Sequence, residues 1–168
     1  MAVAVGVDVY SSVEFSDAYH AAHPFNATGW AAIEVSDKER FKRLATRLFD
    51  DLFEWEGYPS QQGQVLSWPR SWVYDSQRRL YSPIPSDVIP VRIKEAESEW
   101  AYQLSKKDLT IENEIRDERI IRSGDVQFGR DPPRRVIPSV VLDRIPEEWY
   151  CGVKGGGIRY GSIGVERA

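Results

Sequence analysis

The chain has 168 residues, 42% of them hydrophobic and 29% charged, and carries a formal net charge of −4. That length suits one domain with a modest core, and the composition is that of a soluble globular chain rather than a disordered one. The acidic balance excludes a general attraction to nucleic-acid phosphates, which takes a basic face, while the lone Cys151 excludes an internal disulfide and any cysteine-built zinc or iron–sulfur centre. A reducing cytoplasm fits that cysteine usage. Met1 to Val7 is apolar but short and has no basic start, so it does not read as a signal peptide. No stretch approaches the length of a membrane-spanning helix, and no membrane role is expected.

Ala2 to Tyr10 alternates valine with small or polar residues, as an edge strand or an ordered arm would. Ser11 and Glu14 have the spacing of a capping box, which predicts a helix from about Ser12 to His23 with Phe15, Ala18, Tyr19 and Ala22 on its inner face. Pro24 and Gly29 then break the chain and leave Phe25 and Trp30 as aromatic contacts in a loop. Ser36 and Glu39 form a second capping box ahead of a helix over 37–54. Phe41, Leu44, Ala45, Leu48, Leu52 and Phe53 make its apolar stripe, with Lys42, Arg43, Arg47, Asp50 and Asp51 assigned to solvent.

Gly57 and Pro59 end that helix and lead to Gln64-Val65-Leu66-Ser67-Trp68-Pro69-Arg70, followed by Ser71-Trp72-Val73-Tyr74. Pro69 fixes its own φ and pushes Trp68 toward an extended conformation, so this stretch is a plug between helices. Trp68 and Trp72 are large bodies suited to a seam between helices or between subunits, and the planar fork of Arg70 suits backbone carbonyls or a carboxylate. A polar and then proline-rich connector over 75–90 leads to a third helix starting near Val88. There Val91, Ala96, Trp100 and Leu104 face inward and Lys94, Glu95, Glu97 and Glu99 face out. A β-hairpin is expected over about 114–131, with arms at 118–122 and 126–130, and a short helix over 137–145. Residues 152–168, with three consecutive glycines and little apolar mass, read as a tail or an arm ordered by a partner. The fold class is therefore mainly α: a small helical bundle with a β-hairpin and extended N- and C-terminal arms, divided into a domain over 1–150 and a flexible arm over 151–168.

No set of residues supplies a nucleophile, a base and a pocket, so no enzymatic role and no cofactor are expected. His20 and His23 sit three apart on a helix, but nothing nearby completes a metal site. Adjacent carboxylates such as Asp50 and Asp51 point apart on a helix and read as solvated. Gly155 to Gly157 lacks the lysine and hydroxyl residue that a phosphate loop needs, Cys151 reads as a small apolar filler, and Arg78-Arg79 and Arg134-Arg135 are short basic spots.

The succession of Tyr10 to Tyr19, Arg43 to Asp50, Gln64 to Arg70, and Ile84-Pro85 through Pro90 to Ile93-Lys94-Glu95-Ala96 resembles the head–tail adaptor proteins of tailed phages, also called head-completion or connector proteins. Sequences with this Trp-Pro-Arg pattern often carry the description DnaT-like single-stranded DNA-binding protein. The resemblance covers about residues 10–107. It implies a structural virion protein at the head–tail interface: a ring, typically of twelve copies, beneath the portal, extending a channel for the genomic DNA and giving neck or tail proteins a platform. On that view Trp68, Pro69, Arg70 and Trp72 form the structural motif and interface, and Ile158, Arg159, Tyr160, Ile163 and Val165 belong to an arm that reaches the portal protein. The second expectation is single-stranded DNA binding, for which Trp68 to Trp72 is the candidate platform.

Overall fold

A computed structural model describes residues 3–75, 82–107, 122–123, 126–127 and 137–154. Helices dominate. In chain order they are α1 (Val13–Ala21), α2 (Ala27–Ala31), α3 (Val35–Leu52), α4 (Val91–Lys106) and α5 (Ser139–Leu142), with a 3-10 turn at Glu147–Trp149. The strands are short and pair in twos, all antiparallel: β1 (Phe53–Trp55) with β6 (Tyr150–Val153), β2 (Tyr58–Pro59) with β3 (Arg70–Ser71), and β4 (Arg122–Ser123) with β5 (Val126–Gln127).

The centre is the packing of α3 on α4. Ala45 and Phe49 of α3 meet Ile93, Ala96 and Trp100 of α4 in the buried core, where the small alanines let the helices approach and the Phe49 and Trp100 rings meet edge to face at 4.8 Å. An aromatic chain runs outward from there. Phe53 stacks on Trp55 at 4.7 Å, Trp55 meets Trp68 at 5.6 Å, and Trp68 meets Trp149 at 5.6 Å. The β1–β6 pair closes this end, with Phe53 opposite Val153 and Trp55 opposite Tyr150 around a bulge after Glu54. At the other end α1 and α2 pack His20 and Trp30 against Tyr102 of α4. Gly29 is required there, because a β-carbon would collide with the Tyr102 hydroxyl.

Several expectations are corrected. Val3 to Tyr10 is a loop with one isolated bridge, Val5 to Val9, because its backbone turns back on itself through bonds to the Ala4 carbonyl instead of pairing with a strand. The α1 cap is Ser12, whose side chain accepts from the Phe15 amide; α3 starts after Glu34 with no side-chain cap. The inner face of α1 is Val13, Ser16 and His20, and Trp30 lies buried in a helix that the glycine hid. On α3, Lys42 is fully buried, and on α4 so are Glu97 and Glu99, all three assigned to solvent from their charge. Val91, assigned to the core, is 58% exposed, two residues and so more than half a turn from the buried Ile93.

Of the expected hairpin, the described residues show Arg122 paired with Gln127 and Ser123 with Val126, and the rest of its arms lies outside the described residues. The short late helix is α5, which contributes Val141 to the core. β6 runs across the expected boundary at 150–151, so Cys151 to Val153 belong to the folded body. Cys151 is exposed, with its thiol donating to the Glu54 carbonyl at 3.2 Å, rather than filling the core.

Candidate functional site

Two places in the molecule carry unusual chemistry. The first is the junction of α1, α3 and α4. Lys42 Nζ donates to Glu97 Oε2, Ser11 Oγ and Ser16 Oγ, each at 2.8 Å, so all three ammonium protons have acceptors. Glu97 accepts in addition from Ser11 Oγ at 2.6 Å, the Tyr10 amide at 2.8 Å and Thr46 Oγ1 at 2.6 Å. Both charged side chains are sealed from solvent, and burial lowers the Lys42 pKa against the pull of Glu97, which raises it. With every donor met, the pair locks the start of α1 to both long helices. No route from solvent reaches either charge, so the geometry is that of a structural knot.

The second place is the ribbon from Trp55 to Asp75. Its inner side is fixed by Arg70. The guanidinium donates to the carbonyls of Glu56 (2.6 Å), Gly57 (2.7 Å), Ser67 (3.1 Å) and Trp55 (3.4 Å). Burial lowers its pKa, as expected for a cation turned inward. Gln64 adds two more bonds, to the carbonyls of Leu66 and Pro69. Asp50 of α3 ties the ribbon to the helices, accepting from the Tyr10 hydroxyl and, at 3.3 Å, from the Ser67 amide. Burial raises the Asp50 pKa, and raises that of Tyr10 with help from the Asp50 charge. The Trp68–Pro69 peptide is cis, and Trp68 is 0% exposed.

Three aromatic residues of the ribbon are exposed. Tyr58 is 71% exposed, Trp72 69% and Tyr74 40%. Tyr58 sits opposite Ser71, and Trp72 follows directly with φ at 65°, the left-handed region that a bulky side chain adopts at a cost. Gly57, with φ at +69°, passes so close to the Ser71 carbonyl and the Val73 side chain that a β-carbon there would collide with both. Beyond Trp72 the chain is clamped again, with Val73 buried, its carbonyl accepting from the Ile84 amide at 2.8 Å, and Tyr74 bridged to Pro83.

Of the four residues expected to act as a unit, the fold therefore takes Trp68 and Arg70 inside, leaves Pro69 half-buried in the turn, and presents Trp72. Tyr58 was not singled out in the sequence, and Tyr74, read there with Trp72 as part of the plug, is 40% exposed. Ile158, Arg159, Tyr160, Ile163 and Val165 lie outside the described residues, as do Arg78-Arg79, Arg134-Arg135 and Gly155 to Gly157. His20 Nε2 bonds the Ser98 carbonyl at 3.1 Å, and burial lowers its pKa. Among the described residues no cluster of histidine, cysteine and carboxylate side chains has the makings of a metal site, and no helix is long and apolar enough to cross a membrane.

Fold and site together define a mainly helical protein that exposes Tyr58, Trp72 and Tyr74 on a hydrogen-bonded ribbon. A family model described as "Putative DnaT-like ssDNA binding protein" matches residues 2–128, more than half of the chain, and the chain belongs to that family. Comparison with curated proteins and with solved structures gave no match.

This finding overturns the head–tail adaptor role, together with the twelve-copy ring, portal contact and tail platform that came with it. The physical reason is in the fold. The residues that carried the resemblance, among them Tyr10, Ala45, Phe49, Trp68, Ile93 and Ala96, are buried in this chain's own core. Buried residues of that kind report a shared way of packing and say nothing about assembly.

Proposed function

We propose that this protein binds single-stranded DNA without chemical turnover, stacking unpaired bases on the exposed ribbon of Tyr58, Trp72 and Tyr74. The observation that carries the reading is Trp72, held 69% in solvent by a left-handed backbone at φ 65° between two clamped segments. Left-handed backbone on a bulky residue costs stability and recurs where function requires a fixed geometry. Every base offers a π-face, so an aromatic platform takes single strands with little regard to sequence, and a duplex keeps those faces stacked away. Family membership supports the same reading.

Quenching of tryptophan fluorescence by oligothymidylate at low salt tests it. Trp72→Ala is expected to weaken binding by roughly 1–3 kcal/mol, the worth of one base–aromatic stack, with the fold unchanged by circular dichroism. A wild-type protein that binds no single strand at low salt rejects the reading.

A further inference from the structure

Resting on the stacking reading above, we infer that Gly57 positions Trp72 for base stacking: its bare backbone is the support on which the residues either side of the indole are set. Tyr58 pairs with Ser71 and Pro59 with Arg70, so one further step of that register would set Gly57 opposite Trp72. Side chains alternate along a strand, and a regular Trp72 would follow Arg70 onto the buried face. Instead the ladder ends there and Trp72 turns to φ 65°, which leaves the indole 69% exposed. Gly57 lies against this break. A β-carbon on it would overlap the Ser71 carbonyl oxygen and come within 2.9 Å of Val73 Cγ2, so Gly57 packs on the residue before Trp72 and on the residue after it. Gly57 is itself held, at φ +69° and with its carbonyl accepting from Arg70 Nη2 at 2.7 Å. Ser71 is paired with Tyr58 and Val73 is buried, so neither neighbour is free to give way. The indole is therefore aimed before a strand arrives, and binding carries no cost of ordering it.

The test is a double-mutant cycle on the full chain, read by oligothymidylate titration at low salt. Gly57→Ala is expected to weaken binding at least about fivefold, the low end of one base stack, and by less than about twofold where Trp72 is already alanine. Gly57→Asn should weaken it as much as alanine does, because asparagine tolerates a left-handed backbone but brings the same β-carbon. Of the six tryptophans only Trp72 is exposed, so acrylamide quenching reports on it. Saturating strand should shield that tryptophan in the wild type and leave it open in Gly57→Ala. If Gly57→Ala does not fold, Trp72→Gly is added; the expected result is recovery of the fold, because glycine at 72 lets Ser71 move aside, and a double variant that stays unfolded overturns the inference. A strand that binds Gly57→Ala or Gly57→Asn as tightly as wild type also overturns it, as does a loss of equal size with and without Trp72. In those cases Trp72→Ala still weakens binding and the stacking reading stands. A wild type that binds no strand rejects that reading, and this inference with it.

Discussion

The helix junction and the ribbon each invert the usual rule for where residues belong. At the junction a lysine and a glutamate are sealed in the interior; on the ribbon a tryptophan and two tyrosines stand in water. The junction is compensated within the chain, since three serine and threonine hydroxyls and a backbone amide complete the bonding of both charges. The ribbon is not: the clamps behind it fix the backbone and leave the aromatic faces uncovered. An inversion satisfied internally is architecture, and one left open is where a partner belongs.

Breaking the junction has the largest expected effect. Lys42→Met strands the Glu97 carboxylate in a sealed site and should cost about 3–5 kcal/mol in urea unfolding. Adding Glu97→Gln should recover a good part of that loss, because a neutral amide still accepts from Tyr10 and Thr46. A double variant no better than the single one would mean that packing, rather than the unpaired charge, sets the cost.

The two tryptophans sharpen the comparison next. Trp68→Ala should cost about 3–5 kcal/mol, as expected for an aromatic side chain with ring neighbours on both sides. Trp72→Gly, four residues on, should leave stability unchanged or raise it by up to about 1 kcal/mol, because glycine adopts a left-handed backbone freely. Binding should weaken by the worth of one stack in the second variant, while stability falls in the first. A Trp72→Gly protein destabilised as much as Trp68→Ala would place Trp72 in the architecture.

The smallest effect is one of pH. His20 is packed by Tyr19 of its own helix, by Trp30 of α2, and by Ser98 and Tyr102 of α4, and Glu99, Lys42 and His23, the last just beyond the end of α1, also act on its charge. Its folded pKa lies below the ordinary value, burial outweighing the help of Ser98 and Glu99. The stability it contributes is therefore complete above the unfolded pKa of about 6.5 and is lost as pH falls through the folded value. Wild type should lose more stability between pH 7 and pH 5 than His20→Gln does, measured by urea midpoints at both pH values. Equal losses would show that other groups set the acid limb.

The sequence alone determined the long helices, their order, the late hairpin and the plug role of Trp68, because hydrophobic period, proline and glycine act locally and survive in any context. It also held the exposed aromatics in plain view without saying which would be exposed. Tertiary structure decided the rest. Lys42, Ala45 and Phe49 lie on one face of α3 and Glu97 and Trp100 on one face of α4, and two of the three hydroxyls that make burying the charges tolerable, Ser11 and Ser16, arrive only with α1 and the residues before it. Likewise Trp68 and Trp72 are the same residue type on the same ribbon, and Trp68 is buried between Trp55 and Trp149 while Trp72, on a left-handed backbone, is exposed. Side-chain type fixes the cost of burial; only neighbours brought together from distant parts of the chain fix whether that cost is met.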